Sequence, residues 1–170
     1  MNDLWNNSFS PDSNVNMPDE IIKAQCEYLE QRTSGIIVAK VADYDGPIHS
    51  YDTSIGNALY NPYENEYDVQ KDLGNIPESR FTFEFFITST STPNYKYRIM
   101  FLSYAIPFYP VDIVLDEAIA MELNINDNYI YCNTQKDFEL LLKNILNSKK
   151  IVSIINSLLT IAKKEGRLVG

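Results

Sequence analysis

Apolar residues recur at helical spacing early in the chain. Ile22, Cys26 and Leu29 share one face, with Ile21 and Tyr28 beside them. Pro18 suits a first helical position, because its missing N–H would be unpaired there anyway, and Asp19 and Glu20 face the positive end of the helix dipole. Gly35 supplies a left-handed stop after Arg32, so the spacing predicts a helix over 18–32. The β-branched run 36–42 then reads as a strand buried on much of both faces. Asp43-Tyr44-Asp45-Gly46-Pro47 ends it with turn chemistry.

Period two returns at Phe81. Phe81, Phe83, Phe85 and Ile87 alternate with Thr82, Glu84, Phe86 and Thr88, and Tyr97, Ile99 and Phe101 alternate with Arg98, Met100 and Leu102. The two arms predict a hairpin turning at 91–94. Pro107-Phe108-Tyr109-Pro110 breaks the pattern, with an aromatic-Pro bond that takes the cis form more readily than most, and 111–115 resumes it. Asp116 caps a short helix containing Ile119, Ala120 and Leu123, and 129–132 is one more strand. The rest is helical. Thr134, with Asp137 three residues on, opens a stripe of Phe138, Leu141, Leu142, Ile145 and Leu146. Ser148 opens a second of Ile151, Ile154, Ile155, Leu158 and Ala162, closed by Lys163, Lys164 and Gly166. This order predicts an α+β domain: an antiparallel sheet of about four to five strands packed by an N-terminal helix and two C-terminal helices.

Two stretches lack a period. Residues 1–16 read as a flexible N-terminal arm, leaving 17–170 as a single domain. Trp5 and Phe9 are unusual in such an arm and make it a candidate contact with the domain or with a second copy, hence a route to a homo-oligomer. Residues 43–79 form a long acidic, tyrosine-rich segment, and a stretch of that length without regular structure is often functional. A short strand near 47–51 and a helical turn near 64–73 are its candidate elements.

Charge narrows the function. The chain of 170 residues carries net −9, with eight acids and one base in 43–79, against seven bases and three acids in 133–170. Such acidity disfavours nucleic acid, whose affinity rests on clustered Lys and Arg, and favours a basic protein partner. A solvated helix face accounts for the C-terminal lysines. No stretch approaches the roughly 20 apolar residues of a spanning helix, and no basic segment precedes an apolar core at the N-terminus, so a cytoplasmic protein without membrane contact is expected. Two distant cysteines do not make a disulfide framework; Cys26, on the apolar side of its helix, reads as a buried free thiol.

Catalytic signatures are missing. His49 is the only histidine. A zinc site would need Cys26, Cys132, His49 and a carboxylate to converge from four elements with no short-spaced pair to begin it. Glycine-rich phosphate loops and nucleophile elbows have no match. Asp43-Tyr44-Asp45-Gly46 resembles the start of a calcium loop, but Tyr51 and Ser54 stand at its ninth and twelfth places, where acidic ligands are needed. No cofactor, metal or catalytic residue is expected.

The segment 43–79 therefore carries the functional expectation. Tyrosine gives a large rigid contact area with a polar tip, and carboxylates around it steer a basic partner. The candidate partner-binding residues are Asp43, Tyr44, Asp45, Tyr51, Asp52, Tyr60, Tyr63, Glu64, Glu66, Tyr67 and Asp68. Size and charge are those of a small inhibitor or regulator of a basic protein, as immunity proteins and phage anti-defence proteins are. Two other readings stand beside it. In one, a pocket under 43–79, in which Asp43, Asp45 or His49 meets walls of Tyr44, Tyr51 or Tyr60, binds or hydrolyses a small molecule. In the other, the chain is an assembly subunit making contact through Trp5, Phe9 and the Pro107–Pro110 corner.

Overall fold

A computed structural model of the chain describes residues 4–5, 9–46, 48–51, 64–67 and 80–166, with the backbone alone for 48–51 and 64–67. In chain order the elements are α1 (Pro18–Arg32), β1 (Ile37–Asp43), β2 (Ile48–Tyr51), β3 (Glu64–Tyr67), β4 (Phe81–Ser89), β5 (Thr92–Tyr104) and β6 (Val111–Leu115). They continue with α2 (Glu117–Glu122), β7 (Tyr129–Cys132), α3 (Gln135–Leu146) and α4 (Lys149–Lys164). Five strands form one antiparallel sheet in the order β1-β4-β5-β6-β7, while β2 and β3 pair in a separate two-stranded ladder. The architecture is α+β, with the N-terminal helix and both C-terminal helices on one face of the five-stranded sheet.

The element ends follow local chemistry. Pro18 opens α1, and Gly35, at φ +74°, donates its N–H to the Glu30 carbonyl at 2.9 Å. Asp116, Thr134 and Ser148 each accept a backbone N–H at the start of α2, α3 and α4. Such caps satisfy donors that the first helical turn leaves unpaired. Glu122 adds to the third, taking the Lys149 and Lys150 N–H groups at 2.5 and 3.1 Å.

The core lies between sheet and helices. Ile37, Phe83, Phe85, Ile87, Met100, Leu102, Tyr104 and Ile113 meet Ile22 and Cys26 of α1, Phe138 and Leu142 of α3, and Ile151 and Leu158 of α4. Each fully buried side chain of this size contributes about 1.5–3 kcal/mol. Tyr104 makes a polar contact within this core: its hydroxyl donates to the buried Asp19, whose other oxygen meets Lys23 Nζ at 2.6 Å. Burial pushes the Asp19 carboxyl up, but the hydrogen bonds from Lys23 and Tyr104 outweigh it and hold it below the usual value. Both cysteines are free and buried; burial raises Cys26 to about 12 and Cys132 to about 11.

Four details depart from the sequence expectation. β1 is an edge strand with Lys40 exposed at its middle, so it is not buried on both faces. The hairpin turns at Thr90-Ser91, with Ser89 opposite Thr92, which leaves Pro93 and Asn94 inside β5. Pro93 is tolerated because β6 pairs only with 100–104, so the missing N–H faces a free edge. Alternation along β5 breaks at Ile99, which the register skips between Arg98 and Met100. Residues 64–67 are a strand, paired with 48–51 as expected for the latter, and not part of a helical turn.

Candidate functional site

All the described helices pack on one face of the sheet, and the functional candidates gather at the opposite face. The skipped residue in β5 creates this arrangement. Without a bulge, Arg98 would share the core side with Met100. The extra residue turns Arg98, opposite Phe86, and Lys96 to the open side, within reach of Glu84 on β4. Glu84 accepts from Lys96 Nζ at 2.6 Å and from Arg98 Nε at 2.9 Å. Burial pushes its carboxyl up, yet these two cations hold it below the ordinary value. Lys96 also lies 4.2 Å from the centre of the Phe86 ring, and the Arg98 guanidinium 4.6 Å from that of Phe101.

A second cluster adjoins the first. Arg80 pairs with the buried Asp112 and donates to Ser103 Oγ at 3.0 Å and to the Ser103 carbonyl at 3.1 Å. The Tyr129 hydroxyl donates a hydrogen bond to the other Asp112 oxygen at 2.6 Å, and Thr82 meets Ser103 at 3.2 Å. Burial, then this bond to Asp112, pushes the Tyr129 hydroxyl well above its usual value. Asp112 thus has a cation and a hydroxyl on separate oxygens, as a buried carboxylate requires.

These clusters hold both ends of the acidic segment. Tyr44 extends the β1–β4 ladder by one rung, its N–H donating to the Thr82 carbonyl at 2.9 Å. Its half-buried ring packs on Phe101 with 4.6 Å between centroids, beneath Arg98 at 5.8 Å. Burial raises the Tyr44 hydroxyl, with Arg98 opposing. The chain turns closely over this ring, since a β-carbon on Gly46 would come within 2.8 Å of the Tyr44 hydroxyl. At the other end, Arg80 enters the sheet through its contacts with Ser103 and Asp112. The segment is therefore an excursion between two neighbouring strands, fixed by Tyr44 where it leaves and by Arg80 where it returns.

The remaining expected residues divide three ways. Strand alternation separates Asp43 from Tyr44: Asp43 lies on the helix side, where its charge acts on Lys23, and Tyr44 on the open side. Asp45 is exposed beside the turn. On the β2–β3 ladder, Tyr51 stands opposite Glu64, His49 opposite Glu66 and Ile48 opposite Tyr67. Asp52, Tyr60, Tyr63 and Asp68 lie outside the described residues, as does the part of the expected helical turn beyond 67. A pocket combining Asp43 with a Tyr44 wall is thus not brought together on either face.

Sequence reasoning missed Arg80, Glu84, Lys96, Arg98, Ser103, Asp112 and Tyr129. Their signal was charge placed inside strands, at Glu84, Arg98 and Asp112. Among the described residues, no three His, Cys, Asp or Glu side chains group closely enough to hold a metal ion. Among the same residues, no single helix is long and apolar enough to cross a membrane. Neither a known protein family nor a curated protein nor a solved structure matches the chain.

Proposed function

We propose that this chain is a small acidic cytoplasmic protein that binds and thereby inhibits or regulates a basic protein partner, in the manner of immunity proteins or phage anti-defence proteins. The contact is carried by segment 43–79, through Tyr44, Asp45, Tyr51, Asp52, Tyr60, Tyr63, Glu64, Glu66, Tyr67 and Asp68, with Asp43 at its edge. One observation supports this reading above the others. Eight of the chain's 23 acids fall within residues 43–79, whose two ends are fixed on the sheet face opposite the described helices by Tyr44 and by the adjoining Arg80. A rooted excursion presents tyrosines and carboxylates at less entropic cost than a free tail, and its charge raises the rate of encounter with a cationic surface.

The test compares the wild-type chain with a variant in which Asp45, Asp52, Glu64, Glu66 and Asp68 become Asn or Gln. Both are used to capture proteins from the native host at about 50 and about 300 mM salt, a range over which screening changes materially. The expected result is a basic protein held by the wild type at low salt, weakened at high salt and lost by a variant whose urea unfolding is unchanged. Retention of the same protein by both chains at both salts overturns the proposal.

A further inference from the structure

Two helices of the layer that covers the sheet carry opposite charge on their outer sides. On α1, Ile22 and Cys26 face the core, so Glu20, Glu27 and Gln31, spaced at i, i+7 and i+11, run along the outer side. All three are exposed, and Glu30 is exposed on the flank beside them. Tyr28 stands next to this ridge with 55% of its surface in solvent. The two bases of α1 do not offset the ridge: Lys23 is engaged with the buried Asp19, and Arg32 is the last residue of the helix.

On α4 the sign is reversed. The helix holds four lysines and no acid, with Lys149 and Lys150 at its start, Lys163 and Lys164 at its end, and no charged side chain over 151–162. Ile151, Leu158 and Ala162 face the core. Lys149, Ser153, Asn156, Thr160 and Lys163 are exposed and follow one another at helical spacing along the outer side. Between the lysine pairs, Val152, Ser153, Asn156, Ser157 and Thr160 line a shallow groove of about 480 Å³. That volume falls within the range of about 300–1,000 Å³ that binding sites occupy.

We propose that the helix layer is a self-complementary interface: the acidic side of α1 in one copy lies along the basic side of α4 in a second copy, and the reverse contact forms with it. Both sides point away from the same sheet face, so within one chain they do not meet. Because each molecule presents both, a two-fold axis satisfies the two contacts together and closes the assembly at two. The helices run antiparallel across the contact. At a rise of about 1.5 Å per residue, Glu20 beside Lys163 then sets Tyr28 level with residue 155, within the span of the groove, and brings Glu27 and Glu30 toward Lys149 and Lys150. The Tyr28 ring covers Val152 and its hydroxyl meets the Ser and Asn side chains of the groove, an aromatic anchor with a polar tip.

The test is sedimentation equilibrium of the full-length protein over a wide dilution series, at about 50 and about 300 mM salt. The expected result is a mass rising from 19.5 kDa to twice that value, with the midpoint at higher concentration in the higher salt. Two charge-reversed chains separate the partners of the contact. One carries Glu20→Lys and Glu27→Lys, the other Lys149→Glu and Lys163→Glu, all at exposed positions. Each alone should dimerise at least tenfold more weakly with circular dichroism unchanged. An equimolar mixture should recover the dimer, because reversed α1 then meets reversed α4 and both native helices meet each other. Tyr28→Ser, which leaves every charge in place, should weaken the native dimer at least tenfold as well. Three outcomes overturn the proposal: a monomer throughout, a dimer that survives either charge-reversed chain or Tyr28→Ser, or a mixture that stays monomeric. Partner capture by segment 43–79 uses none of these residues, so the two proposals fail separately.

Discussion

The ring of Tyr44 lies against that of Phe101, 4.6 Å between centroids and tilted by 49°. It joins the first residue beyond β1 to the middle of the sheet. Phe101 is 5% exposed although no described helix covers its face, and Val114, Tyr44 and Tyr129 provide its apolar surroundings. Phe101→Ala should therefore cost about 3 kcal/mol, the low end for a buried ring, read as a lower urea midpoint. A change under half of that would show that the open face contributes little to stability.

Arg80 and Lys23 each pair with a buried carboxylate, but their surroundings differ. The Arg80 side chain is 18% exposed and that of Lys23 is 51% exposed. Arg80→Met strands Asp112 in a buried site with only Tyr129 as donor, and should destabilise the fold by about 3 kcal/mol or more. Lys23→Met leaves Asp19 its Tyr104 bond and removes a solvent-screened charge, so its cost should stay within about 1 kcal/mol. Equal losses in urea unfolding would contradict this ordering.

Acid should destabilise the protein through two identified groups. Asp19 and Glu84 are both held below their ordinary values of 3.8 and 4.5 by the cations and hydroxyl that bond them. A lowered folded-state pKa contributes stability that is complete above the unfolded value and lost as pH falls through the folded one. The urea midpoint should thus be level near neutrality and decline between about pH 5 and pH 1. Asp19→Asn and Glu84→Gln should lower stability at neutral pH and flatten that decline. A midpoint that rises on acidification would be inconsistent with both pairings.

Much of the scaffold was legible because its signals are local. Pro18 with Asp19 and Glu20 marks the start of α1, and Asp116, Thr134 and Ser148 mark the starts of three later helices, each within one turn of the residues it caps. The β4–β5 hairpin shows in its period of two. What was hidden depends on pairings remote in sequence. Arg80 immediately precedes β4 and Asp112 lies on β6, a strand not adjacent to β4, and neither residue signals the other. The bulge at Ile99 is equally silent, since Tyr97 to Leu102 reads as unbroken alternation until β4 fixes the register. Within the candidate site, the tyrosines and acids of 43–79 could be picked out by composition. Their anchor could not, because nothing local in the sequence pairs Phe101 and Arg98 with Tyr44.

The thiols offer an independent check on the core. Cys26 and Cys132 are 8% and 4% exposed, and burial raises them to about 12 and about 11. Only thiolate reacts readily, so both should resist a disulfide reagent at neutral pH and react together once urea unfolds the chain. Fast reaction of either thiol in the native protein would mean that its helix or strand opens locally.

The central claim is that segment 43–79 contacts a basic partner from the side of the sheet opposite the described helices. Hydrogen exchange of the captured complex, compared with the free chain, tests it most directly. The account predicts new protection within 43–79 and at the adjoining ends of β1 and β4, with α1 and α3 exchanging as before. Protection centred on α1 or α3, with 43–79 unchanged, would contradict it.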